Sequence, residues 1–79
     1  MSITLREMKV GDEGRIKAIR VSDGAFRARL LSMGLTRGAH FTVKRVAPLG
    51  DPVEIRVRGF ALSLRKADAD GMKIEKILR

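Results

Sequence analysis

Val53-Glu54-Ile55-Arg56-Val57-Arg58-Gly59-Phe60-Ala61-Leu62-Ser63-Leu64 is the stretch from which the fold can be read. Val53, Ile55 and Val57 alternate with Glu54, Arg56 and Arg58, the period-2 pattern of a strand with one face buried. Gly59 supplies a turn, and Phe60, Leu62 and Leu64 repeat the same period in a second strand. Two adjacent short strands make a hairpin, and a hairpin needs further strands before it is stable.

Those strands are found on both sides. Phe41 and Val43 lead a strand running to about Val46. Arg15 to Val21 alternates apolar and basic residues, with Ile16 and Ala18 in one phase and Ile19 and Val21 in the other, which predicts a bulged strand ending near Val21. Met72-Lys73-Ile74-Glu75 begins a fifth strand after the segment Ala67 to Gly71. Gly11-Asp12-Glu13-Gly14 reads as a turn, and Thr4-Leu5-Arg6-Glu7-Met8 as a capping box opening one helical turn with Leu5 and Met8 on one side. Asp23-Gly24 starts the only substantial helix, whose Phe26, Leu30 and Met33 fall at i, i+4 and i+7 before the C-terminal cap Gly34. The expectation is a mostly β protein, an SH3-like small barrel of about five strands with one short α-helix. An OB-type barrel is the alternative.

With 79 residues, the sequence is read as one domain, 1–79, with a single core and no room for a deep catalytic cleft. No repeat, linker or low-complexity tract divides it. No apolar run approaches the roughly 20 residues of a membrane span, and the absence of cysteine fits a reducing compartment, so the expected location is cytoplasmic. His40 is the only histidine, which leaves neither a serine nor a cysteine triad to build, and no Walker-type lysine follows the glycines at 11 and 14. An enzyme is therefore not expected. Asp68, Asp70 and Glu75 lack the spacing of a cation site, so no metal site and no cofactor are expected beyond weak, adventitious metal binding.

Lysine and arginine number 17 against 9 acidic residues, a formal net charge of +8, which favours an acidic or phosphate-bearing partner. The cations are dispersed from Arg6 to Arg79 rather than grouped. Binding of single-stranded nucleic acid by a barrel uses stacked aromatics, and tryptophan and tyrosine are absent while Phe26, Phe41 and Phe60 sit at apolar-periodic positions and read as core. Nonspecific phosphate contact is the alternative function this leaves open.

Three segments complete the reading: Arg29-Leu30-Leu31-Ser32-Met33-Gly34-Leu35, Ala47-Pro48-Leu49-Gly50-Asp51-Pro52, and Leu62-Ser63-Leu64-Arg65-Lys66-Ala67. In this order and spacing, together with Gly11, Gly14, Gly38 and Gly59, they closely resemble the FeoA family of ferrous iron transport accessory proteins. The resemblance implies an SH3-like barrel in the cytoplasm that assists FeoB, a membrane ferrous iron permease whose cytosolic part binds GTP, by docking on it and influencing its assembly or nucleotide turnover. Membrane association would come only through that partner, and specific nucleic acid would have no part.

The motif residues also have structural readings: Leu30 and Met33 as core, Gly34 as a cap, and Pro48, Gly50, Asp51 and Pro52 as turn chemistry. Leu31 lies about 100° round the helix from Leu30, off the apolar stripe and on the side of Arg27, and Leu49 has no strand periodicity to bury it. The expectation is that Leu31 and Leu49 form one apolar docking centre, rimmed by Arg27, Arg29 and Arg65, and that Arg65 pairs with Glu54 or with a partner carboxylate.

Overall fold

The computed structural model describes residues 2–78. Its organising hairpin spans residues 53–64: β3 (Val53–Val57) and β4 (Phe60–Leu64) pair antiparallel from Val57↔Phe60 to Val53↔Leu64. The two-residue loop places both Arg58 (φ 50°) and Gly59 (φ 85°) in the left-handed region, the backbone twist that a two-residue hairpin turn demands. Val53, Ile55 and Val57 are buried, as their alternation requires.

β2 (His40–Val46) pairs with β3, and β1 (Glu13–Ile19) pairs with both β2 and β5 (Met72–Ile77), giving one five-stranded antiparallel sheet in the order β4-β3-β2-β1-β5. The bulge expected in β1 is present, between Ile16 and Ala18 opposite β5. A second lies between Val43 and Arg45 of β2. Bulges increase local twist and bend a strand, which helps a short sheet curl around its own core.

That core takes side chains from nearly every element: Leu5, Ile16, Leu30, Leu35, Phe41, Val43, Ile55, Met72 and Ile74 are all at most 2% exposed. Leu5 arrives on a 3-10 turn (Leu5–Glu7), where the Glu7 carboxylate accepts the Thr4 N–H at 2.8 Å and Met8 is also buried, as the capping-box reading anticipated.

At three points the structure departs from the sequence expectation, and it adds one short element. Gly14 is a strand residue and not part of a turn: a Cβ there would lie 2.7 Å from Ile74 Cγ2 and 2.8 Å from Phe41 Cζ, so glycine is present to let those two side chains close over the strand. β1 stops at Ile19 rather than near Val21, because the chain leaves the sheet for the helix that follows. Phe60 keeps the apolar phase of β4 yet is 63% exposed, since periodicity sets the face of a strand while position at the sheet edge sets its depth. The segment after Leu64 carries one further helical turn, α2 (Lys66–Ala69), which buries Ala69 completely.

Candidate functional site

The candidate surface is built around α1 (Gly24–Ser32). Asp23 caps its start, its Oδ1 accepting the N–H of Ala25 at 3.0 Å and of Phe26 at 3.1 Å. Its end is a full Schellman motif: Leu35 N–H reaches the Leu30 carbonyl at 3.0 Å, Gly34 N–H reaches the Leu31 carbonyl at 3.1 Å, and Gly34 sits at φ 92°. With both ends tied, the helix has a fixed rotation. Leu30 is buried, Phe26 and Met33 are half-buried, and Leu31 is turned outward at 37% exposure.

Leu31 opens onto a hollow of about 370 Å³ between α1 and β1, whose floor is Ala18 and Ile19 and whose rim carries Lys17, Arg20, Arg27 and Arg37. Among the described residues none of these four cations makes a hydrogen bond or ion pair through its side chain, whereas the ion pairs that do form lie elsewhere, at Arg6–Asp70, Arg15–Glu75 and Lys76–Asp12. Four uncompensated charges around an apolar floor create a positive potential suited to carboxylates or phosphates. Of this group the sequence pattern alone singles out Arg27 and Leu31. Lys17 and Arg20 lie three positions apart at the end of β1, and Arg37 joins them from the segment between α1 and β2, which Gly38 N–H ties to the Ile16 carbonyl at 2.7 Å.

A second depression runs between α1 and β4. Arg29, Leu30, Met33, Leu62, Arg65 and Asp68 line one part of it, and Met33, Leu62, Val57 and Phe60 line its continuation. Arg29 and Arg65 therefore share this groove rather than the rim of Leu31. The pair expected between Arg65 and Glu54 is absent among the described residues: Glu54 is paired across the sheet with Ser63 and Arg45, while Arg65 follows β4 as the residue that precedes α2.

Leu49, 97% exposed, stands at the tip of the β2–β3 turn and lines neither hollow. Its neighbours are structural. Gly50 N–H donates to the Ala47 carbonyl at 2.7 Å, Ala47 N–H donates to the Pro52 carbonyl at 3.1 Å, and Asp51 Oδ1 accepts the Lys66 N–H at 2.7 Å, joining the turn to the first residue of α2. Leu31 and Leu49 thus lie on separately built features. The structure does not gather them into one hollow.

Among the described residues no three histidine, cysteine, aspartate or glutamate side chains converge as a metal site requires. Asp70 and Glu75 are each engaged by an arginine, and His40 is exposed at the start of β2 opposite Arg15. The bonds from the Arg6 guanidinium hold the Asp70 carboxyl below the usual carboxylate range. Asp12 is held down mainly by the Lys9 backbone N–H at 2.8 Å. Neither group sits in a cleft, so these shifts describe structural pairing and not acid–base chemistry.

A family model of the FeoA domain matches residues 3–76. The chain belongs to the FeoA family. A Porphyromonas gingivalis protein described as an Fe(2+) transport protein A/Fe(2+) transporter FeoB fusion protein is 42% identical over 74 residues, which cover 92% of this chain and 8% of that one. This FeoA-family chain therefore spans less than a tenth of that relative's length.

Solved structures agree on the architecture. The FeoA protein of Chlorobium tepidum superposes with a TM-score of 0.89 at 37% identity, covering 96% of this chain and 71% of its own. A crystal structure described as an iron uptake regulatory protein (FeoA) gives 0.81 at 34% identity, over 98% and 99% of the two chains. The Stenotrophomonas maltophilia FeoA, described as a procaryotic SH3 domain protein and complexed with zinc, gives 0.80 at 20% identity over 92% and 89%, a likeness of fold alone. The SH3-like, mostly β reading of the sequence holds. No helix among the described residues is long and apolar enough to cross a membrane.

Proposed function

We propose that this FeoA-family chain is a cytoplasmic, non-enzymatic accessory protein of ferrous iron uptake that docks on the FeoB permease and modulates its assembly or GTP-dependent activity. The observation that carries this reading is the Porphyromonas gingivalis relative, in which an Fe(2+) transport protein A part and a FeoB part share one polypeptide. Fusion replaces a bimolecular encounter by an intramolecular one at high effective concentration, which benefits two modules that work in contact. Residues 1–79 act in this reading as one SH3-like module. Iron is the cargo of the permease, and the accessory chain needs no cofactor of its own.

The docking surface comprises Leu31 with the arginine rim at Arg27, the groove cations Arg29 and Arg65, and the exposed Leu49. The apolar residues provide burial, and the cations steer an acidic face of the permease into place. Since the Leu31 hollow and the Leu49 turn are separate, the contact is extended, touching two sides of α1 and the β2–β3 turn. Co-purification with the cytosolic part of FeoB, with and without GTP, tests docking. Ferrous iron uptake at low oxygen in a strain lacking the gene and any paralogue tests the role, and unchanged uptake there sinks the assignment.

The uncompensated cations around Leu31 favour one rival reading, nonspecific binding of nucleic acid through its phosphates. Titration of a random oligonucleotide across salt concentrations separates the two. The docking reading expects no appreciable binding at physiological ionic strength.

A further inference from the structure

The sheet has two edges, and they are treated differently. The outer side of β5 is met by Ile3, whose N–H donates to the Ile74 carbonyl at 2.7 Å and whose carbonyl accepts the Ile74 N–H at 2.9 Å. Among the described residues β4 has no such cover. The two-residue turn makes Val57↔Phe60 a hydrogen-bonded pair, so the alternation of an antiparallel ladder makes Ile55↔Leu62 and Val53↔Leu64 bonded as well. The N–H and C=O groups of the intervening residues, Ala61 and Ser63, therefore face away from β3. Among the described residues no backbone hydrogen bond outside the strand ladders involves them, and both residues are exposed.

Edge strands left open in this way are normally guarded by proline, lysine, an inward-pointing charge or a bulge. Phe60-Ala61-Leu62-Ser63-Leu64 contains none of these and is paired with β3 without a register shift. Beside it lies the groove against α1, with exposed Phe60 at one end, Met33 and Leu62 in the middle, and Arg29 and Arg65 at the other end. Asp68 also lines the arginine end, leaving two guanidinium groups against one carboxylate there.

We propose that β4 is a strand-addition site: an extended segment of a partner protein pairs with the Ala61 and Ser63 backbone. It lays alternate apolar side chains on Phe60, Leu62 and Met33 and sets a carboxylate against Arg29 and Arg65. Main-chain bonds provide the affinity in such docking, and the alternate pockets with the charged end fix register and direction. Charge selects the occupant. A second copy of this chain would bring its own formal +8 and its own Arg29 and Arg65 to the contact, whereas a segment with an acidic end compensates them. The inference stands independently of the permease reading, because it concerns the chemistry of the segment and not the identity of its owner.

The probe is a pair of synthetic peptides of alternating valine and threonine, one with two glutamates at its N-terminal end and one with them at its C-terminal end. Each is also made with alternate amides N-methylated. Backbone amide exchange of the intact chain is followed by NMR. One unmethylated peptide is expected to bind and slow exchange at Ala61 and Ser63 about tenfold or more. Its N-methylated form should not bind, and F60D, a change at an exposed position, should weaken binding about tenfold while leaving the fold intact. Failure of both peptides to bind, equal binding of the N-methylated forms, or shifts confined to Lys17, Arg20, Arg27 and Arg37 overturns the proposal. So does a concentration-dependent dimer that protects the same two amides without peptide, which would make a second copy the occupant. A negative result leaves co-purification with FeoB as a separate question.

Discussion

The Arg6 guanidinium grips the Asp70 carboxylate as a two-bond fork, Nε to Oδ1 at 2.9 Å and Nη2 to Oδ2 at 2.7 Å, across 64 positions of sequence. The fork joins the N-terminal 3-10 turn to the residue that ends α2, and so fixes the entry into β5. Bidentate geometry of this kind outperforms a lone surface ion pair in specificity even where both groups are solvated.

A pH dependence follows from it. Asp70 is held below the ordinary carboxylate value chiefly by hydrogen bonding from Arg6, and Asp12 by the Lys9 N–H. A carboxyl with a depressed folded-state pKa stabilises above its unfolded value and loses that contribution as pH falls through the folded one. The melting temperature should therefore be nearly flat from about pH 5 to 8 and decline below about pH 4. D70N should lower it at pH 7 and flatten the acid decline; an acid profile identical to that of the parent chain would contradict the role given to the fork.

Two glycines respond differently to the same added methyl. In G14A the new Cβ meets the ends of two buried side chains, Ile74 and Phe41, and overpacking of that kind costs about 1–3 kcal/mol. In G71A the Cβ would lie 2.5 Å from the Arg20 carbonyl oxygen, where Arg20 N–H already donates to the Gly71 carbonyl at 2.7 Å, so two backbone segments have to part. Thermal unfolding should rank G71A below G14A, with G14A lowered by about 4–8 °C for each kcal/mol lost.

Asp51 acts at a distance from its own turn. Removing its carboxylate in D51A deprives the Lys66 N–H of its partner and should cost about 1 kcal/mol, as loss of a helix cap does. D51N retains an acceptor oxygen and should recover more than half of the difference. Chemical denaturation with an unchanged slope would confirm that the loss is local.

Leu31 and Leu49 are tested by charge. L49D alters a side chain that is 97% exposed and should move the melting temperature by less than about 4 °C. L31D should do nearly the same, its larger effect being on the four cations around it. Under the docking reading both weaken co-purification with FeoB and lower iron uptake, and two folded variants with full uptake would remove these leucines from the interface.

Much of this fold is legible in sequence because local chemistry and tertiary position agree. The hairpin across Gly59, the bulge after Ile16, the capping box at Thr4 and the Gly34 cap each follow from residues within a few positions of one another. What escapes is set by neighbours remote in the chain. Phe60 has the phase of a core residue but lies where the sheet ends, Gly14 is glycine because of Phe41 and Ile74, and α2 is too short to show a helical period. The site follows the same rule. That Leu31 leaves the apolar stripe is readable from helix geometry. That Arg20 and Arg37 join it while Leu49 does not depends on how the segment after α1 is tied to β1 by the Gly38 N–H.

The ladder between β1 and β5 has a kinetic consequence. Glu13 pairs with Ile77, and Ile16 with Ile74, so β1, which lies between β2 and β5, cannot complete its pairing until nearly the whole chain is in place. β2, β3 and β4, by contrast, are joined by short connections and can collect locally. Loops that long close against an entropy the local hairpins do not face, so the meander is predicted to form first and the β1–β5 seam last. Substitutions in the seam, such as I74V, should then accelerate unfolding while leaving the folding rate almost unchanged, whereas I55V should slow folding. Chevron plots showing the reverse partition would place the nucleus in the seam instead.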